Sequence, residues 1–108
     1  MRNTEAAEGM MRTYVFAFSP EPEGGYTVTC PALPGLVTHG RSLEEARQMA
    51  LDASEGLIEV MIEKGTEIPE SDPTTAIQRF ERFADTFQDG SDPQPLFEQL
   101  TVRSSEMA

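Results

Sequence analysis

With 108 residues, a single cysteine, and nineteen acidic against eight basic side chains, the chain has room for one modest core and a formal net charge of −11. No apolar run approaches the roughly 20 residues that span a bilayer, and the opening stretch Met1 to Gly9 is polar and acidic, so a cytoplasmic protein is expected. Cys30 alone makes no intrachain disulfide and no cysteine metal cluster, no cofactor is expected, and the charge opposes phosphate backbones and anionic membranes. The complementary partner is basic.

Residues 1–10 read as a disordered N-terminal extension, with Met10 or Met11 as alternative starts. Arg12 to Ser19 is rich in aromatic and β-branched residues and places Tyr14, Phe16 and Phe18 on one face of a strand. Pro20, Pro22, Gly24 and Gly25 then break the chain before Tyr26 to Cys30, where Tyr26, Val28 and Cys30 alternate with threonines; this predicts a β-hairpin with Glu21 and Glu23 at its tip. Pro31 to Gly35 is an irregular turn, because two prolines cannot donate to a sheet ladder, and Leu36 to His39 forms a third short strand ended by Gly40.

Ser42 stands three residues before Glu45, a capping box, and no proline interrupts the chain until Gly65 supplies a C-terminal cap, so a helix of about six turns is expected between them. Helical periodicity gathers Leu43, Ala46, Met49, Ala50, Ala53, Leu57, Val60 and Met61 into a stripe expected to lie on the sheet. Leu51, Ile58 and Ile62 form a second strip, displaced from the first, and Asp52, Glu55, Glu59 and Glu63 make an acidic ridge along a third face. After a linker at residues 70–73, Thr74 to Gln88 carries Ile77, Phe80, Ala84 and Phe87 at helical spacing, and Leu96 to Val102 is a candidate last strand. The second helix's apolar residues, Ile77, Phe80 and Phe87, are expected to cover Leu51, Ile58 and Ile62 in the same chain or in a second copy, making a dimer or tetramer.

Five short motifs now stand in order: Tyr14; Gly24-Gly25-Tyr26; Pro31-Ala32-Leu33-Pro34-Gly35 with Thr38 and Gly40; Leu43-Glu44-Glu45-Ala46; and Gly65 to Pro69. Together they resemble the HicB antitoxin family over about residues 11–69. The resemblance implies an α+β fold of the partial RNase H-like type, β-β-β-α-β, a three-stranded antiparallel sheet with a long helix packed on it. It implies a HicB-like domain at 11–70 and a C-terminal extension at 71–108. It also implies a binding protein that blocks a basic, messenger-RNA-cleaving toxin of the HicA type. Ala32 and Leu36 depart from the acidic residue and the cysteine common in the family.

Many relatives add a DNA-binding module, but beyond Pro69 only Arg79, Arg82 and Arg103 are basic, too few for phosphate contacts, so no direct nucleic-acid binding is expected. An RNase H-like nuclease needs carboxylates converging on two metals, and the strands Arg12 to Ser19 and Tyr26 to Cys30 contain none. His39 is the only histidine and Cys30 lies on an apolar strand face, so neither indicates catalysis. Two classes remain: a toxin-neutralising module, or an orphan of the same fold that self-assembles or binds another basic ligand. For the first, the expected contacts are Asp52, Glu55, Glu59, Glu63, Glu21, Glu23 and the turn Leu33, Pro34, Gly35.

Overall fold

The structure is a computed structural model that describes residues 11–73, 76–79, 81 and 95–103. Its elements are β1 (Met11–Pro20), β2 (Tyr26–Thr29), β3 (Val37–Gly40), α1 (Leu43–Lys64) and β4 (Leu96–Arg103). The four strands form one antiparallel sheet in the order β3-β2-β1-β4, with the helix on one face. The expected α+β architecture is present, and the candidate last strand is a sheet member paired with β1 from Met11↔Arg103 to Phe18↔Leu96. Residues 76–79 and 81 are helical, and the rest of the expected second helix, with Phe80 and Phe87, lies outside the described residues.

β1 is central because its alternation gives it two faces to bury. Tyr14, Phe16 and Phe18 enter the core with Val28, Cys30, Leu33, Leu36, Ala46, Ala50, Ile58 and Val102. Burial pushes the Cys30 thiol up to about 11, against hydrogen bonds from the Ala32 and Leu33 backbone that pull it down; it packs as a small hydrophobe. Tyr14, likewise raised by burial, donates its hydroxyl to the Pro69 carbonyl at 2.5 Å. Val15 points to the opposite face and is also fully buried.

β2 covers β1 only from Ala17 to Pro20, leaving the edge at Thr13 and Val15 without a strand on that side. Ser71 and Asp72 fill the gap. Thr13 donates its N–H to Ser71 Oγ (2.9 Å), Asp72 donates its N–H to the Thr13 carbonyl (2.8 Å), and Val15 donates its N–H to Asp72 Oδ2 (2.8 Å). The linker is thus a strap that satisfies backbone groups otherwise lost to the sheet. Gln99 of β4 reaches over to the Pro73 carbonyl from the other side at 3.1 Å.

The helix starts and stops where its caps predict. Ser42 Oγ accepts from the Glu45 N–H (3.1 Å), while the Glu45 carboxylate takes the N–H of Arg41, one residue before the usual capping-box donor, at 2.9 Å. At the other end Gly65, at φ 71°, donates to the Ile62 carbonyl and Thr66 to that of Met61, a Schellman arrangement. Gly40 lets the helix start close to the sheet, since a Cβ there would lie 2.3 Å from the Ala46 nitrogen.

The buried face of α1 is rotated from the expected stripe. Ala46, Ala50, Ser54 and Ile58 are its buried residues. Val60, assigned to the sheet face, is 42% exposed, whereas Ile58, assigned to a separate strip, is fully buried in the core. Ser54 explains the difference: its hydroxyl donates to the Ala50 carbonyl at 2.7 Å, so a residue that reads as polar is satisfied within the helix and buries at no hydrogen-bonding loss. It joins the two apolar strips into one broad face, with Leu51 and Ile62 as partly buried flanking residues. Ile58 is therefore unavailable to a second copy.

Candidate functional site

The site is best read outward from that buried face. Residues 52, 56, 59 and 63 follow one another at helical spacing on the side of α1 opposite Ala50, Ser54 and Ile58. Asp52, Glu59 and Glu63 are exposed, and Glu55, on the flank, is half-buried. Val60 adds an exposed apolar side chain at the margin of this row. Three of the four carboxylates expected as a ridge, Asp52, Glu59 and Glu63, share the outward face of the helix, and Glu55 stands about 60° round from Asp52 on its flank.

Gly56 interrupts the ridge between Asp52 and Glu59. It is exposed, and nothing lies within 4 Å of where its Cβ would sit. Glycine inside a helix costs about 1 kcal/mol relative to alanine. Among the described residues no neighbour requires its small size, and none covers the helix backbone at this point among the acidic side chains.

The remaining expected contact residues are dispersed. Glu21 accepts from the Thr27 hydroxyl across the hairpin, and Glu23 is exposed at the turn. The turn itself is closed by Gly24 donating to the Glu21 carbonyl and Glu21 donating to that of Gly25, with Gly24 and Gly25 at φ 106° and 83°. Because Gly40 pairs with Tyr26, this tip lies beside the start of α1. The Cys30–Leu36 turn lies at the other end of β2 and β3. There Pro34 and Gly35 are exposed, but Leu33 is fully buried, its N–H bonded to the Cys30 carbonyl at 3.0 Å; it anchors the turn from inside and is not presented to a partner. Ile77 is half-buried.

One ion pair ties the helix to the far strand. Arg47 donates from Nε and Nη2 to the two carboxylate oxygens of Glu98 at 2.7 and 2.6 Å. That forked hydrogen bond holds the Glu98 carboxyl below its ordinary value and raises Arg47. The pairing was not predicted, since nothing local signals a contact between residues 51 apart in sequence. The Asp72 strap was also missed; its signal was the Ser-Asp-Pro sequence, whose short polar side chains favour bonds to nearby backbone.

Among the described residues no group of three or more His, Cys, Asp or Glu side chains is arranged to hold a metal, and no helix is long and apolar enough to cross a membrane. The geometry defines a small α+β protein offering an acidic helix face on a rigid sheet.

The family model described as HicB-like antitoxin of bacterial toxin–antitoxin systems matches residues 14–89, and the chain belongs to that family. Antitoxin HicB 1 of Photorhabdus laumondii is 41% identical over 56 residues, which are 52% of this chain and 36% of that protein. The chain thus matches little more than a third of that relative's length. The N-terminal domain of Burkholderia pseudomallei antitoxin HicB superposes with a TM-score of 0.63 at 22% identity, covering 83% of this chain and 96% of that one. A chain of a toxin–antitoxin complex from Streptococcus pneumoniae gives 0.64 at 20% identity, covering 86% and 69% respectively. At these identities the superpositions establish a shared fold.

Proposed function

We propose that this antitoxin acts by direct contact with a basic, messenger-RNA-cleaving toxin of the HicA type, using the outward face of α1 around Asp52, Glu55, Glu59 and Glu63. The observation that supports this is the placement of the ridge: Asp52, Glu59 and Glu63 are exposed on the side of α1 away from the core, with Glu55 on their flank, on a helix capped at both ends, where like charges at i,i+4 spacing repel by a few tenths of a kcal/mol per pair. Opposite an RNA-binding surface the same field speeds encounter and disfavours wrong partners. Gly56 lets a partner approach the helix backbone between Asp52 and Glu59. Glu21 and Glu23 at one end of the sheet, and Pro34 and Gly35 at the other, are secondary contacts.

On this reading the protein binds and does not catalyse. β1, β2 and β3 contain no carboxylate, and Glu98, the one on β4, is held by Arg47.

The test is to search beside the gene for a short reading frame encoding a basic protein and to co-express its product with this chain. Growth arrested by that neighbour is restored by the wild-type chain and restored less well by the Glu55→Gln, Glu59→Gln double variant. Equal rescue by both removes the ridge from the proposal, and no rescue by the wild type removes the toxin reading, leaving an orphan of the fold.

A further inference from the structure

We propose that the outer edge of β4 is a self-association surface, where a second copy of this chain adds antiparallel to β4 about a two-fold axis at Thr101. The direction of the backbone follows from the strap. Thr13, which pairs with Thr101, turns both its N–H and its carbonyl away from β4, toward Ser71 and Asp72. Thr13↔Thr101 is therefore a non-hydrogen-bonded pair, consistent with the 3.0 Å approach of the two hydroxyl oxygens. The backbone groups of Thr101 point out of the sheet, and alternation gives Gln99 and Arg103 the same direction. Among the described residues no strand lies beyond β4, and the backbone groups of Gln99, Thr101 and Arg103 have no strand partner there, the kind of edge that templates strand addition.

Register points to a second copy of this chain as the occupant, and this edge is where the charge of the chain opposes it least. Two molecules of net charge −11 repel wherever carboxylates face each other, as they would across α1. The outward row Gln99, Thr101, Arg103 has no carboxylate, and Glu98 on the other face of the strand is engaged by Arg47. With the axis at Thr101, Gln99 lies opposite the second copy's Arg103, and Leu100 opposite the second copy's Val102, twice over. The core side of β4 then continues as an apolar surface across the join. Moving the axis to Gln99 would set Arg103 against Pro95, which has no N–H to give. The other free edge, β3, is only four residues long. The resulting assembly has one continuous eight-stranded sheet, twice the four strands of one chain, with both α1 ridges left open.

Light scattering coupled to size exclusion at tens of micromolar tests this directly. The wild type is expected as a dimer, and Thr101→Lys, which sets two ammonium groups against each other at the axis, as a monomer with an unchanged circular dichroism spectrum. Thr101→Cys tests the register. Residues in a hydrogen-bonded antiparallel pair have Cα atoms about 5.5 Å apart, within reach of a disulfide. Mild oxidation should therefore link Thr101→Cys copies, while Gln99→Cys copies, roughly 14 Å apart in this register, stay unlinked. A monomeric wild type, an unaffected Thr101→Lys dimer, or linkage through position 99 in place of 101 overturns the proposal. None of these results depends on a toxin, so they stand or fall apart from the functional reading.

Discussion

Asp72 is the most informative single position in the fold. Its carboxylate is the acceptor for the Val15 N–H at 2.8 Å, and Val15 is fully buried. Asp72→Ala keeps the backbone bond from residue 72 to the Thr13 carbonyl but leaves that amide without its partner. An unsatisfied buried donor costs about 1–3 kcal/mol, a large share of the roughly 5–15 kcal/mol that holds a domain of this size together. Asp72→Asn retains a neutral acceptor of the same shape and should recover about half of the loss, because bonds to charged groups are worth roughly twice those between neutral ones. Urea denaturation gives the stabilities, and native-state hydrogen exchange at the Val15 amide locates the effect. The Ala variant should move the midpoint without changing the slope and should expose that amide to exchange. A loss under about 0.5 kcal/mol with Val15 still protected would show that the strap is incidental and that water or another group satisfies the edge.

Three further outcomes follow from packing and charge. Ile58→Ala should cost about 2–5 kcal/mol in urea denaturation and leave self-association of the folded protein unchanged, since Ile58 lies wholly in the core; a small cost with loss of the dimer would restore it to an interface. Gly56→Ala should stabilise by roughly 0.5–1 kcal/mol, seen as a raised melting temperature, because the helix gains propensity and the new methyl meets nothing within 4 Å; a lower melting temperature would reveal strain at this point of α1. Glu98 has its folded pKa held below the ordinary 4.5 by Arg47, so its contribution is complete above about that value and is lost as pH falls through the folded pKa. The stability gap between wild type and Glu98→Gln should therefore be constant near neutrality and shrink below pH 4.5. A gap that widens on acidification would contradict the pairing.

What could be read from the sequence was what short-range chemistry decides. The aromatic alternation of Tyr14, Phe16 and Phe18, the Gly24-Gly25 turn, and the Ser42 and Gly65 caps each act within a few residues, and all appear in the structure as expected. The rotation of α1 was misjudged because Ser54 counts as polar in any periodicity argument, while its hydroxyl is satisfied one turn back by Ala50. Leu33 was placed on the surface because a Pro- and Gly-rich turn reads as exposed, yet a turn over a sheet end needs an apolar anchor, and Leu33 is it. The Arg47–Glu98 fork and the Asp72 strap depend on tertiary proximity between segments far apart in the chain, which leaves no periodic trace. The outward position of Asp52, Glu59 and Glu63 was legible because the residues opposite them on the helix are apolar or small, whereas Glu55 lies half-buried on the flank.

The central claim, that this antitoxin neutralises a basic toxin by contact through α1, is tested most directly with purified components. A HicA-type toxin, sought as the product of a short adjacent reading frame, is held at fixed concentration, its cleavage of RNA is followed, and the antitoxin is titrated in at low and at high salt. The account predicts inhibition with a sharp stoichiometric endpoint at low salt, and for the Glu55→Gln, Glu59→Gln variant slower onset and a flatter salt dependence. Undiminished cleavage at a several-fold excess of antitoxin, or inhibition by the double variant at the wild-type rate under both salt conditions, would contradict it.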